Sequence, residues 1–182
     1  MRLRRPPTSA FTVPAAAATA VLLAATSASA AVVTPHSAGL SRLGTCQEKA
    51  LGVKAAPGGP ANVVNISVTN HGGSSCVVDR IPTITFAGLD GSAQTVPAAE
   101  SGPYTLARGG RAYAALRTAD PASTEGHFVG TLSVSVDPSH YGVTFGAAAV
   151  GMPQGIHVWE PITTLWYRSA ASATSALADA LG

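Results

Sequence analysis

The sequence predicts an all-β fold, an antiparallel sandwich closed by a short C-terminal helix or tail, on three observations. Apolar and polar residues alternate in short runs, turn formers punctuate the intervals, and no helix-period run appears before residue 169. Period-two alternation marks strands with one face buried and one wet. Roughly seven to nine such strands at this spacing favour packed antiparallel sheets over an α/β arrangement.

The N-terminus is built for export. Arg2, Arg4 and Arg5 precede the apolar run Ala15–Ala25, and Ala28-Ser29-Ala30 supplies a small-x-small cleavage site. The order is that of a signal peptide over residues 1–30, cut before Ala31. The run is too short to span a bilayer, which takes roughly 20 apolar residues, so the cleaved chain is expected to have no membrane span. Arg4-Arg5 hints at twin-arginine export, but Pro6-Pro7 follow where that signal turns apolar. Lipid anchoring needs a cysteine directly after the apolar run, and the first cysteine is Cys46.

Residues 31–42 mix Pro, Ser, Gly and Thr without periodicity and form an expected flexible lead-in. The sandwich is expected over residues 43–168. In Asn62–Thr69, Val64, Ile66 and Val68 share one face. In Thr83–Phe86, Ile84 and Phe86 do the same, and in Thr131–Val136 it is Leu132, Val134 and Val136. Ala112, Ala114 and Leu116 form a thinner stripe whose small side chains imply close approach of another layer. Pro57-Gly58-Gly59-Pro60, Asn70-His71-Gly72-Gly73, Arg108-Gly109-Gly110 and Asp137-Pro138 mark turns, and Asp90-Gly91 suggests a tight hairpin. Residues 169–182 are Ala- and Ser-rich, with a short helix expected from Thr174 to Leu181. Leu177 and Leu181 are its only large apolar residues, which favours a frayed or loosely docked tail.

Charge narrows the function classes. The chain has 11 basic and 9 acidic residues, and the signal removes three of the basic ones, leaving 8 against 9. Electrostatic capture of nucleic acid requires clustered Lys and Arg, which the processed chain lacks. Charged residues make up 11% of the sequence, against an average near 25%, so candidates for acid–base chemistry are few. About 150 residues remain after cleavage, one domain's worth.

Cys46 and Cys76 are the two cysteines. Secretion favours their oxidation, and without a nearby CxxC or His pair they make a poor zinc site. A bridge closing about thirty residues stabilises by ~3–4 kcal/mol on the loop-entropy account.

Cys46, Asn70 with a Gly-Gly turn before Cys76, Pro82 six residues beyond it, and Leu106-Ala107-Arg108-Gly109-Gly110-Arg111-Ala112 together resemble domain-of-unknown-function family 4232, secreted or lipid-anchored actinobacterial proteins. The resemblance covers roughly Thr45 to Pro138 and is strongest at Cys76–Pro82. It implies an immunoglobulin-like sandwich and a first disulfide, and no activity. The chain departs from the pattern in lacking a later cysteine pair, in Arg80-Ile81 where Gly-Tyr is usual, and in the aromatic segment Gly155–Arg168.

No catalytic motif stands out: G-x-S-x-G, S-x-x-K, H-E-x-x-H, the P-loop and G-x-G-x-x-G are all missing. Glu125 and His127 lie two apart in an expected loop, where solvation is the simpler reading than a metal, and His71 reads as a surface turn residue. No cofactor or metal is expected. Two binding surfaces are. Arg111, Tyr113 and Arg117 share the parity opposite Ala112, Ala114 and Leu116, an exposed basic-aromatic stripe for an anion or sugar if that apolar face is core, though a plain solvated face explains it equally well. Trp159, Trp166 and Tyr167 gather half of the Trp and Tyr residues within nine positions, suited to stacking on a glycan or anchoring a protein, or to filling the core. Trp159 and Trp166 are seven apart, so a straight strand places them on opposite faces. Asn65-Ile66-Ser67 is a glycosylation sequon, but it lies within a strand.

The expected function is a secreted, non-enzymatic extracellular or cell-surface binding module, its partner a cell-wall glycan or a secreted protein. The alternatives are a secreted hydrolase or enzyme inhibitor, and a structural envelope domain.

Overall fold

The computed structural model describes residues 43–182, so the signal peptide and lead-in expected over residues 1–42 lie outside the described residues. Twelve short strands and one helix follow: β1 Leu51–Pro57, β2 Val63–Asn70, β3 Cys76–Asp79, β4 Thr83–Phe86, β5 Gln94–Val96, β6 Pro103–Leu106, β7 Arg111–Arg117, β8 His127–Val129, β9 Thr131–Ser135, β10 Val143–Gly146, β11 Ile156–Val158, β12 Ile162–Thr164 and α1 Ala170–Leu181. The count exceeds the seven to nine expected because β5, β8, β11 and β12 are only three residues long, too short for an alternation to show in sequence.

One sheet has the order β1-β2-β7-β12-β5, a second β10-β9-β4, and two ribbons pair β11 with β8 and β3 with β6. All these ladders are antiparallel except β12–β5, which is parallel. Each period-two run buries the face expected of it. Val64, Ile66 and Val68 of β2 and Ala112, Ala114 and Leu116 of β7 meet Ile84 and Phe86 of β4 and Leu132, Val134 and Val136 in one core. The small side chains of β7 let the second layer come close, the usual sandwich solution to burying one face of each sheet.

Asp90-Gly91 closes no two-residue hairpin. It lies where the chain leaves β4 and crosses to β5 in the other sheet, with Gly91 at φ +88°.

The C-terminal segment is a docked element rather than a frayed tail. The helix starts at Ala170, four residues before the expected start, capped by Ser169, whose hydroxyl accepts from Ser172 N–H. Ala173 and Leu177 are buried against Val63 of β2 and Ala115 of β7, with Val96, Tyr113, Ile162 and Tyr167 packed around them. Few apolar residues suffice here because the sheet face beneath is itself apolar at Val63 and Ala115.

Candidate functional site

The residues singled out in sequence occupy three separate places. Cys46 and Cys76 are bonded, with Cα atoms 4.9 Å apart, inside the range a disulfide spans. Cys76 pairs with Leu106 across the β3–β6 ribbon. Beside it, Asn70 is fully buried, and its Nδ2 donates to Ser74 O (2.9 Å), Ala107 O (3.1 Å) and Leu106 O (3.3 Å). Its Oδ1 accepts from Gly72 N–H at 2.8 Å. A Cβ at Gly72 would stand 2.9 Å from that oxygen, so the turn takes glycine for room. The scattered motif Cys46, Asn70-x-Gly-Gly, Cys76 and Leu106–Gly110 is thus one structural cluster, in which every polar group of a buried amide is satisfied. An open cleft of about 290 Å³ adjoins it, lined largely by turn backbone.

The basic-aromatic stripe on β7 does not form an exposed surface. Tyr113 is half-buried beside α1, and Arg117 pairs with Asp120 at 3.5 Å, leaving only Arg111 open to solvent. The helix packs on this outer face of β7, so neither reading of that face in sequence, binding stripe or solvated surface, describes it.

The aromatic segment divides, but not by the parity of one straight strand: Trp159 follows β11 and Trp166 follows β12, and these two strands belong to different sheets. Trp166 is 4% exposed and belongs to the core, Tyr167 packs in the cluster under α1, and Trp159 is 36% exposed. Trp159 lines a cleft of about 260 Å³ together with Asp90, His127, Glu160 and Pro161, floored by Phe86, Leu89 and Val158. Its position is fixed from several directions. Trp159 N–H donates to Thr118 O at 2.9 Å, just past the end of β7, and Gln94 N–H donates to Pro161 O at 2.9 Å. Val158 and His127 face each other in the β11–β8 ribbon, which carries the imidazole to the cleft. Gly126 turns at φ +115°, where a Cβ would clash with Val158 O and stand 3.0 Å from Trp159 Cβ, so only glycine lets this loop lie against Trp159.

Glu160 holds φ +44° without being glycine. A left-handed non-glycine residue costs on the order of 1–3 kcal/mol and persists only where its surroundings impose it. The strain falls on the residue next to the exposed indole.

On the opposite side of the ribbon Phe128 and His157 stack, ring centroids 4.9 Å apart and planes 15° from parallel, and His157 Nε2–H donates to Glu125 O at 2.6 Å. Glu125 thus meets His157 through its backbone, while His127 belongs with Trp159. Among the described residues no three His, Cys, Asp or Glu side chains converge as a metal site. Sequence reasoning singled out Trp159 but missed Asp90, His127 and Glu160 as its neighbours. Asp90 read as turn chemistry and His127 as loop, and only Glu160, adjacent in sequence, carried any signal.

Two Ser–Asp pairs form elsewhere. Ser101 Oγ donates to Asp79 Oδ2, whose other oxygen accepts from Ile81 N–H, and Ser139 Oγ and N–H both donate to Asp137 Oδ1. Ser139 and Asp137, two residues apart, brace a turn, whereas Ser101 and Asp79 are 22 residues apart and tie the approach to β6 to the end of β3.

No curated protein and no solved structure matches the chain. The family described as Domain of unknown function (DUF4232) matches residues 46–158, more than half of the chain, ending one residue before Trp159 and covering the whole disulfide–Asn70 cluster. The chain therefore belongs to the DUF4232 family.

Proposed function

We propose that this protein is a secreted, non-enzymatic binding module of the cell exterior whose Trp159 cleft seats a sugar unit of a cell-wall glycan. One observation carries the reading: a half-exposed indole stands in a cleft beside the carboxylates of Asp90 and Glu160 and the imidazole of His127. An indole face takes the C–H side of a sugar ring, and carboxylates accept from its hydroxyls. The cleft has the concave form and few polar groups of a small-ligand site. The Cys46–Cys76 disulfide supports an oxidising, extracytoplasmic setting.

The test is capture by cell-wall glycan prepared from the producing cells and stripped of protein. The oxidised protein should be retained, and Trp159→Ala should lose retention with an unchanged melting temperature. Equal retention of the variant would sink the reading. Retention only on the secreted-protein fraction would shift it to a protein partner.

A further inference from the structure

The outward face of the β10-β9-β4 sheet carries a regular grid of hydroxyls. Ile84, Phe86, Leu132 and Val134 point into the core, so Thr83, Thr85, Ser133 and Ser135 point away from it. The register places Thr85, Ser133 and Thr144 in one row across three strands, with Thr83 and Ser135 in the next. Neighbouring strands lie about 4.8 Å apart, and alternate residues along a strand about 6.7 Å. No Lys, Arg, Asp or Glu stands on any of the three strands.

At one edge of this grid stands Tyr141, 98% exposed. The loop that carries it is tightly held. On one side His140 Nε2–H donates to Cys46 O at 3.0 Å, and on the other Gly142 N–H donates to Glu48 Oε1 at 2.7 Å. Both neighbours of the tyrosine are therefore tied to the segment that starts at the disulfide. Ser135 Oγ braces the loop from the sheet, donating to Asp137 O at 2.6 Å and His140 O at 3.2 Å. A rigid backbone presents the ring, and no packing hides it. A depression of about 180 Å³ joins ring and grid, lined by Thr83, Thr85, Ser133, Ser135 and Tyr141 together with Pro138 and His140.

We propose that this surface is a second binding site, for an uncharged polysaccharide chain lying along the hydroxyl grid with one sugar ring against Tyr141. The match is one of charge and of hydrogen-bonding type. A charged polymer finds no counter-charge on the three strands, and an apolar partner would strip water from a row of hydroxyls without replacing those hydrogen bonds. Ser133 Oγ and Thr144 Oγ1 already bond each other at 2.8 Å, and Ser135 Oγ donates into the loop. Sugar hydroxyls, each both donor and acceptor, therefore replace water at Thr83 and Thr85 and at the sites left over on the other oxygens. The backbone that carries the ring is already fixed, so stacking has only the side chain to order. The site goes beyond the Trp159 reading, because the two surfaces share no lining residue.

Affinity electrophoresis of the oxidised protein tests it, in native gels containing dextran, a soluble β-glucan or arabinogalactan, with polygalacturonate as the charged control. The expected result is retardation by at least one neutral polysaccharide. Tyr141→Ala and the triple variant Thr85→Val, Ser133→Ala, Thr144→Val should each cut it at least fivefold, while Trp159→Ala keeps it. Tyr141 is almost wholly exposed, so its replacement leaves the fold intact, and an unchanged melting temperature verifies this. Retardation by polygalacturonate alone, no retardation at all, or retardation that Tyr141→Ala leaves unchanged would each overturn the proposal. Loss in Trp159→Ala with none in Tyr141→Ala would overturn it while leaving the cleft reading standing.

Discussion

Tyr113 and Tyr167 exchange both backbone hydrogen bonds, Tyr113 N–H to Tyr167 O at 2.8 Å and Tyr167 N–H to Tyr113 O at 2.7 Å. The bridge brings the chain leaving β12 alongside β7, and α1 starts three residues later. It thereby fixes where the helix lands and which face of the large sheet is covered.

The helix is accordingly a second, smaller core. Leu177→Ala removes a side chain that is 2% exposed and should cost about 2–5 kcal/mol, the usual range for a buried leucine. Urea unfolding followed by circular dichroism measures it. An unchanged midpoint would show that the helix does not contribute to stability.

Asn70 should be intolerant of change. Asn70→Ala leaves the Gly72 N–H and the carbonyls of Ser74, Leu106 and Ala107 without this partner, at about 1–3 kcal/mol for each group left buried and unsatisfied. Asn70→Asp is nearly the same shape but turns a carboxylate oxygen toward three carbonyls, and should be at least as damaging. A melting temperature for Asn70→Asp equal to the wild type would contradict the cluster.

Reducing the disulfide should loosen more than the two cysteines. About 3–4 kcal/mol of stabilisation rests on a bridge of this loop length. Cys46 O and Glu48 also hold the Tyr141 loop, so amide exchange over residues 137–142 should quicken in the reduced protein. Quickening confined to residues near Cys46 and Cys76 would argue against that coupling.

The two tryptophans should report separately. Acrylamide should quench one component of the fluorescence readily, and Trp159→Phe should remove that component, leaving Trp166 shielded. Uniform quenching of both would refute the division between core and cleft.

Acid should act on the Tyr141 loop through Asp137. Burial alone would raise the Asp137 carboxyl, but the hydrogen bonds from the Ser139 side chain and backbone, with His140 nearby, outweigh it and hold the pKa below the ordinary carboxylate value. A pKa depressed on folding gives stability that is present above the unfolded value, near 3.9, and lost as pH falls through the folded one. Asp137→Asn should therefore be less stable than the wild type at neutral pH, and the gap should close in strong acid. A gap that persists in strong acid would assign the effect to packing.

The strand runs were legible because each holds one buried face, and burial of every second residue writes itself into the sequence as alternation. Val64–Val68 of β2 and Leu132–Val134 of β9 show this plainly. Three-residue strands such as β8 and β11 carry no such period, so the ribbon that places His127 beside Trp159 was invisible. The helix over β7 was misjudged for a related reason. Its two buried residues look too few until the apolar patch at Val63 and Ala115, far away in sequence, is known to lie beneath them.

By itself the sequence determined the strand faces and the pairing of its two cysteines, which follow from local periodicity and from having only one partner to choose. Tertiary structure alone decided that Asn70 closes onto Leu106 and Ala107, that α1 covers Tyr113, and that Asp90, His127 and Trp159 share a cleft. Those contacts join residues from about 30 to 70 positions apart. Such pairings depend on how the sheets stack and where short connections cross between them, which no local pattern encodes.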